Sequence, residues 1–102
     1  MPTTIGVLRE ATPNETRVAL VPEVATKFRT AGARVLIERG AGLAAQFPDP
    51  AYKDADFADS AAAVLAAADV LVKVQPPTLD ELARLKPGAV VVSFVTSAWK
   101  TW

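Results

Sequence analysis

The sequence contains no cysteine, no histidine and few aromatic residues. Without cysteine it can form no disulfide, present no thiolate nucleophile and offer no cysteine ligand to zinc. Without histidine it lacks the commonest acid–base group near neutral pH and the commonest metal ligand. Its 11 basic and 11 acidic residues leave a formal net charge of zero. This balance gives no support for binding to nucleic acid or to an anionic membrane surface.

Long apolar runs are also missing. The longest strongly apolar stretch, residues 89–95, is far too short to cross a bilayer. No charged segment followed by an apolar one opens the chain, so we identify no signal peptide. We therefore expect one soluble domain in a reducing compartment, with no direct insertion of this segment into a membrane.

The sequence instead alternates apolar runs of strand length with helical segments. Strands are predicted at residues 4–8, 34–38, 69–75 and 89–95, and helices at 22–31, 61–68 and 78–85. This alternation is typical of a parallel sheet with helices packed on it. We predict an α/β fold, a Rossmann-like or flavodoxin-like three-layer arrangement. Because only a short tail with Trp99 and Trp102 follows the fourth predicted strand, we expect a sheet truncated after that strand.

Two cationic side chains stand among apolar residues. Arg17 comes just before the apolar residues 18–21, and Lys73 interrupts the third predicted strand near its carboxyl end. Ligands of open α/β sheets bind outside the carboxyl ends of the strands. If the first and third predicted strands are neighbours, Arg17 and Lys73 form one site for a carboxylate, an amide or a phosphate. In the alternative, Lys73 extends to solvent and Arg17 pairs with Glu10 or Glu15.

A glycine pattern, Gly-Ala-Gly-Leu-Ala-Ala at residues 40–45, follows the second predicted strand and matches G-x-G-x-x-A. A dinucleotide fingerprint must open a long helix whose amino terminus meets the pyrophosphate. Pro48 and Pro50 interrupt any such helix. We therefore predict that these glycines serve a tight turn.

The acidic residues Asp54, Asp56 and Asp59 form a small cluster without the spacing of a calcium loop. We interpret them as a solvated loop and a helix start, and we predict no metal site. A Ser-His-Asp arrangement is impossible without histidine, so we assign no catalytic residue.

Four segments resemble the N-terminal domain shared by alanine dehydrogenase and the alpha subunit of proton-translocating NAD(P) transhydrogenase. They are IGVLREATPNETRVALVPE, ERGAGLAAQFPD, DVLVKVQPP and PGAVVVSFV. Saccharopine dehydrogenase is a more distant relative. The resemblance extends through about Val95 and implies that residues 1–102 are the N-terminal part of this domain, with the downstream NAD-binding Rossmann domain absent.

The resemblance also implies roles for the two cations. Arg17 matches the arginine that holds the substrate carboxylate in alanine dehydrogenase, and Lys73 matches the lysine that contacts the substrate carbonyl there. Both are expected on the nicotinamide or substrate side of the cofactor cleft. The catalytic histidine of alanine dehydrogenase falls at about Thr96, and its absence removes the proton donor for a step at a keto or amino carbon. Direct hydride transfer between nicotinamides needs only positioning, so transhydrogenase is favoured.

Taken further, the resemblance implies a fragment of an NAD(H)-binding alpha subunit that transfers hydride from NADH to NADP, coupled to proton translocation. NAD(H) is expected to bind the full-length protein, and this chain alone is expected to be inactive and to bind no cofactor tightly. The implied partners are other transhydrogenase domains or subunits in a homodimer, in the cytoplasm and peripheral to the inner membrane. Other interpretations stay open: an alanine-dehydrogenase-like NAD-dependent oxidoreductase, a stand-alone module that binds a small anion or a partner, and a breakdown product.

Overall fold

The computed structural model describes residues 3–10 and 14–93, which form one parallel sheet of five strands with helices packed on it. The strands are β1 (Thr4–Val7), β2 (Arg34–Glu38), β3 (Asp56–Ala58), β4 (Val70–Lys73) and β5 (Val90–Ser93). Their order across the sheet is β3-β2-β1-β4-β5, and every neighbouring pair is parallel. The predicted α/β class is confirmed.

The three predicted helices are confirmed as α1 (Pro22–Thr30), α2 (Ala61–Ala67) and α3 (Leu79–Arg84). Helix α1 begins with proline, whose missing N–H is not needed in a first turn. Ser60 caps α2 by accepting a hydrogen bond from the N–H of Ala63 at 3.2 Å. Thr78 and Glu81 form a capping box at the start of α3. None of the helices in the described ranges is long and apolar enough to span a membrane.

The structure corrects the predicted strand count. Residues near Asp56 were interpreted as a solvated loop, but Asp56–Ala58 is a strand that pairs with β2. It is three residues long, opens with an exposed aspartate and lies at the sheet edge, so it carries too few positions to show a strand period. The fourth predicted strand is therefore β5, the fifth. Thr96, Trp99 and Trp102 lie outside the described residues.

Apolar side chains cover both faces of the central strands. The cluster on the α1 face includes Val7, Val35, Ile37 and Tyr52, and the cluster on the α2 face is Leu8, Leu36, Val64, Leu65 and Leu71. Burial on both faces is typical of a parallel sheet. The central strands are therefore held in place from both sides.

Helix α2 lies directly against β1. A Cβ built on Gly6 would stand 2.8 Å from the Cβ of Ala68 and 2.9 Å from Cγ1 of Val64. Only a residue without a side chain permits this approach. The glycine thus sets the distance between the helix and the central strand.

Candidate functional site at the carboxyl edge of the sheet

Strands β1 and β4 are direct neighbours, with Ile5 opposite Val70 and Val7 opposite Val72. The segments that follow these strands therefore leave the sheet at the same edge. This was the condition for Arg17 and Lys73 to share a site. Both residues contribute to one charged network at that edge. Lys73 is buried in this network, whereas Arg17 is largely exposed.

Glu10 connects the segment after β1 to the end of β4. Its carboxylate accepts hydrogen bonds from the backbone N–H groups of Val74 at 3.0 Å and Gln75 at 3.1 Å. The Glu10 side chain is only 2% exposed, and its Oε1 lies 3.8 Å from Nζ of Lys73. A buried carboxylate is tolerated when N–H donors and a cation satisfy it. Glu10 therefore holds the end of β4 in place.

Lys73 is enclosed rather than solvated. Its side chain is 4% exposed, and Nζ lies 3.3 Å from Oε1 and 3.5 Å from Oε2 of Glu81. The same Glu81 carboxylate accepts the N–H of Thr78 at 2.8 Å in the capping box. The alternative in which Lys73 extends to solvent is wrong, because its ammonium lies between the carboxylates of Glu10, which follows β1, and Glu81 on α3.

Arg17 is open to solvent on one side, with 57% of its side chain exposed. Its Nε donates to Oε2 of Glu15 and its Nη2 donates to Oε1, both at 2.9 Å. These donors lower the pKa of Glu15 to about 2, with a further contribution from Gln75, and the same contact raises the pKa of Arg17. The structure thus contains the Glu15–Arg17 pair that the sequence left open as an alternative.

Gln75 connects the Glu15–Arg17 pair to Glu10. Its Nε2 donates to Oε1 of Glu15 at 2.6 Å, while its backbone N–H donates to Glu10. The result is a continuous chain of contacts, here named the ionic network. Its members are Arg17, Glu15, Gln75, Glu10, Lys73 and Glu81.

A cavity of about 280 Å³ opens beside the network. It is lined by Arg9, Glu10, Glu15, Arg17, Gly40, Ala41, Leu43 and Ala44. One wall is therefore charged, and the other is the small apolar loop after β2. Lys73 is not among the residues that line this cavity, but its Nζ lies 3.8 Å from Oε1 of Glu10, which does line it. Arg17 is the predicted site residue that a ligand in this cavity would meet.

The glycine loop has the predicted tight turn and no long helix. Gly40 has φ of +79°, and its N–H donates to Oδ1 of Asp49 at 2.9 Å. The 3₁₀ turn Leu43–Ala45 follows directly, and a second 3₁₀ turn, Asp49–Ala51, comes after it. The predicted tight turn is confirmed, but the loop's place in the cavity wall was missed. The signal was available, since the loop follows β2 at the same edge of the sheet.

Sequence reasoning also missed the carboxylates that organise the site. Glu10 and Glu15 were considered only as simple partners of Arg17, and Glu81 was not considered as a partner of Lys73. Within the described ranges, no group of three or more acidic side chains is arranged to hold a metal ion. The site therefore offers hydrogen-bond donors, paired charges and an apolar wall.

These features define a parallel, Rossmann-like α/β domain with a charged cavity at the carboxyl edge of its sheet. The chain belongs to the family described as "Alanine dehydrogenase/PNT, N-terminal domain", whose model matches residues 6–101. The family predicted from the sequence motifs is thereby confirmed.

Named relatives come from both branches of this family. The chain is 38% identical over 91 residues to NAD(P) transhydrogenase subunit alpha of Haemophilus influenzae, covering 89% of this chain and 18% of the relative. Identity to the Cereibacter sphaeroides subunit alpha is 42% over 92 residues, covering 88% and 18%. It is 34% to alanine dehydrogenase of Methanococcus maripaludis, covering 89% and 25%. The chain thus spans about a fifth to a quarter of these proteins.

Solved structures agree with this assignment. The crystal structure of transhydrogenase from Sinorhizobium meliloti matches with a TM-score of 0.82 and 36% identity, covering 88% of this chain and 27% of that one. An L-alanine dehydrogenase structure matches with a TM-score of 0.81 and 28% identity, covering 92% and 26%. The Rossmann-like fold is therefore shared by both branches.

Proposed function

We propose that this domain is part of the NAD(H)-binding alpha subunit of a transhydrogenase that passes hydride from NADH to NADP, coupled to proton translocation. One observation carries the proposal: Arg17 faces a cavity at the carboxyl edge of the sheet and is held there by Glu15. This edge is where α/β domains bind ligands. The similarity to NAD(P) transhydrogenase alpha subunits supports a nicotinamide cofactor as the ligand of this cavity.

The cavity suits the nicotinamide end of a cofactor. Ala41, Leu43 and Ala44 offer an apolar wall to a flat ring, and Arg17 offers N–H donors to a polar substituent on that ring. Lys73 supports the same site indirectly. Its ammonium pairs with Glu10 at the cavity wall and with Glu81 at the start of α3, and so helps to hold both carboxylates in place. In this proposal Arg17 contacts the cofactor directly, and Lys73 supports the cleft.

The rest of the cofactor would be held elsewhere in the complete protein. The chain spans 18% of the Haemophilus influenzae subunit, and we propose that an NAD-binding Rossmann domain completes the cleft. Residues 1–102 alone would bind NAD(H) weakly. We further propose that other transhydrogenase domains or subunits are its partners, in a homodimer that is cytoplasmic and peripheral to the inner membrane.

An alanine-dehydrogenase-like oxidoreductase is the second candidate. Its support is the 34% identity to alanine dehydrogenase and the TM-score of 0.81 to such a structure. Against it, these 102 residues contain no histidine to serve as the proton donor at a keto or amino carbon. Hydride transfer between two nicotinamides requires no such group.

Two assays on the complete protein distinguish these candidates. In the first, NADH is mixed with an NADP⁺ analogue whose reduced form absorbs at a different wavelength, and hydride transfer is followed directly. In the second, NADH oxidation is measured with pyruvate and ammonia. We expect transfer in the first assay and no turnover in the second. Turnover only in the second would establish the alanine dehydrogenase candidate. No turnover in either would favour a binding module, tested by ligand titration of the 102-residue chain.

A further inference from the structure

One part of the sheet has an apolar face that is open to solvent. Val91 of β5 packs with the cluster on the α2 face, so Val90 and Val92, which alternate with it, lie on the opposite face. There they are 55% and 50% exposed. Their neighbours on β4 are Val70 and Val72, which are only partly buried. Since Val72 packs against the cluster on the α1 face, all four of these valines lie on the α1 face.

Helix α1 borders this face with a second apolar surface. The helix packs over β2, which is separated from β4 by β1. Ala25 is buried in the core, while Val24 and Phe28, four residues apart, share one flank of α1 at 37% and 39% exposure. Thr26 lies on the other flank. Because α1 connects neighbouring parallel strands in a right-handed crossover, the flank with Val24 and Phe28 faces β4.

The two surfaces form one groove, with the flank of α1 as its wall and strands β4 and β5 as its floor. We name it the valine groove. Its members are Val24, Phe28, Val70, Val72, Val90 and Val92. Contiguous apolar patches are uncommon on the surface of soluble domains, and parallel strands normally have both faces covered by helices. The groove therefore has the form of a seat for one further helix beside α1.

The α2 face of the same strands has the usual cover. Leu71 of β4 is fully buried in the cluster that contains Val64 and Leu65 of α2, and Leu85, which follows α3, packs against that cluster as Val91 does. Within residues 3–10 and 14–93, no helix covers Val90 and Val92 in the same way. The two faces of β4 and β5 thus differ in cover although both are apolar.

The handedness of the fold limits where a covering helix can come from. The chain passes through α2 to reach β4 and through α3 to reach β5, and these two helices pack together on one face. A right-handed crossover from β5 to a parallel strand on its outer side would use that face again. Such a crossover would leave the valine groove open. A helix in the groove must therefore belong to another part of the protein.

We propose that the valine groove is filled by an apolar-faced helix from the part of the protein beyond residue 102. The chain spans 18% of the Haemophilus influenzae subunit and 27% of the Sinorhizobium meliloti transhydrogenase chain, so proteins of this family have ample further length for such a helix. None of the groove members is charged, which suits a permanent contact within one fold. The later segment would share one core with β4, β5 and α1. This inference goes beyond the proposed function and does not depend on cofactor binding or hydride transfer.

Photo-crosslinking in the complete protein identifies the occupant directly. Phe28 is replaced by p-benzoylphenylalanine, which keeps an aromatic side chain in the groove, and the peptides joined on irradiation are identified by mass spectrometry. We expect capture of a peptide of the same chain from beyond residue 102. Thr26→p-benzoylphenylalanine, on the other flank of α1, is the matched control and should not capture that peptide.

The other outcomes of this experiment would overturn the inference. They are capture of a peptide within residues 1–102, capture of a different protein, and no capture at all. Mixing isotopically heavy and light copies of the protein shows whether the captured peptide belongs to a second copy, and a heavy–light crosslink would also overturn the inference.

Thiol labelling measures the cover of the groove independently. Residues 1–102 contain no cysteine, so Val92→Cys places a single small thiol on the groove floor in this part of the protein. In the native complete protein we expect a maleimide to modify position 92 at least about tenfold more slowly than position 26 in Thr26→Cys. The two rates should become equal in urea. Equal rates in the native protein would contradict a covered groove.

Discussion

Replacing Lys73 by methionine tests the ionic network where it is most deeply buried. Methionine keeps much of the length of the lysine stem and removes only the charged group. The carboxylates of Glu10 and Glu81, 2% and 16% exposed, would then lose the cation between them. Breaking a buried ion pair by removing one partner is costly because the other charge stays behind.

The distances from Lys73 to its two carboxylate partners determine how much stability the substitution should cost. Nζ of Lys73 lies 3.3 Å from Glu81 and 3.8 Å from Glu10, which at an effective dielectric constant of about 20 corresponds to about 5 and about 4 kcal/mol of attraction. The desolvation of the lysine offsets part of this sum, and the backbone donors to Glu10 remain after the substitution. We expect the free energy of unfolding to fall by about 3 kcal/mol.

Urea unfolding of the 102-residue chain, followed by circular dichroism, measures this loss. Lys53→Met is the matched control, since Lys53 is exposed in a loop and should change stability by less than about 0.5 kcal/mol. Adding Glu81→Gln to Lys73→Met should restore about 1 kcal/mol, because one stranded charge is removed while the glutamine still caps α3. A loss for Lys73→Met no larger than that for Lys53→Met would refute the reasoning.

Three further predictions concern the fold around the site. Gly6→Ala places a methyl group 2.8 Å from Ala68 and should cost about 1–3 kcal/mol in urea unfolding; an unchanged midpoint would contradict this packing. Thr78→Ala removes the cap of α3 and should cost about 1 kcal/mol, seen as a lower melting temperature. Tyr52, the one tyrosine, has a pKa raised from 10.0 to about 12, mainly by burial. Because the pKa of Tyr52 is higher in the folded state than in the unfolded state, the neutral side chain stabilises the fold fully below pH 10. This stabilisation is lost as the pH rises towards 12. Phenolate absorbance appearing near pH 10 would argue against burial.

The helices and four of the strands could be predicted because each carries a local signal. Apolar runs mark the buried strands, and Ser60 and Thr78 mark helix starts by capping chemistry that acts within one turn. Strand β3 carries no such signal, since its pairing with β2 depends on contacts about 20 residues away in the chain. Short edge strands are defined by their neighbours more than by their own residues.

The site was predictable only in part for a related reason. The odd positions of Arg17 and Lys73 could be recognised because a charge beside an apolar run is visible in the sequence. Their partners could not be assigned, because the bond from Val74 to Glu10 spans 64 positions and depends on β1 and β4 being neighbours. The strand order decides which carboxylates reach which cations, and the sequence pattern does not encode that order locally.

We propose that Arg17 lines the nicotinamide side of a cofactor cleft. The most direct measurement is the KM for NADH in hydride transfer by the complete protein carrying Arg17→Gln, compared with Arg34→Gln. Arg34 is the matched control, because it is also partly exposed and paired with an acidic residue, Asp56, but lies at the start of β2 on the opposite edge of the sheet. We expect Arg17→Gln to raise the KM for NADH by about tenfold or more, and Arg34→Gln to leave it unchanged. Equal KM values for the two variants would contradict it.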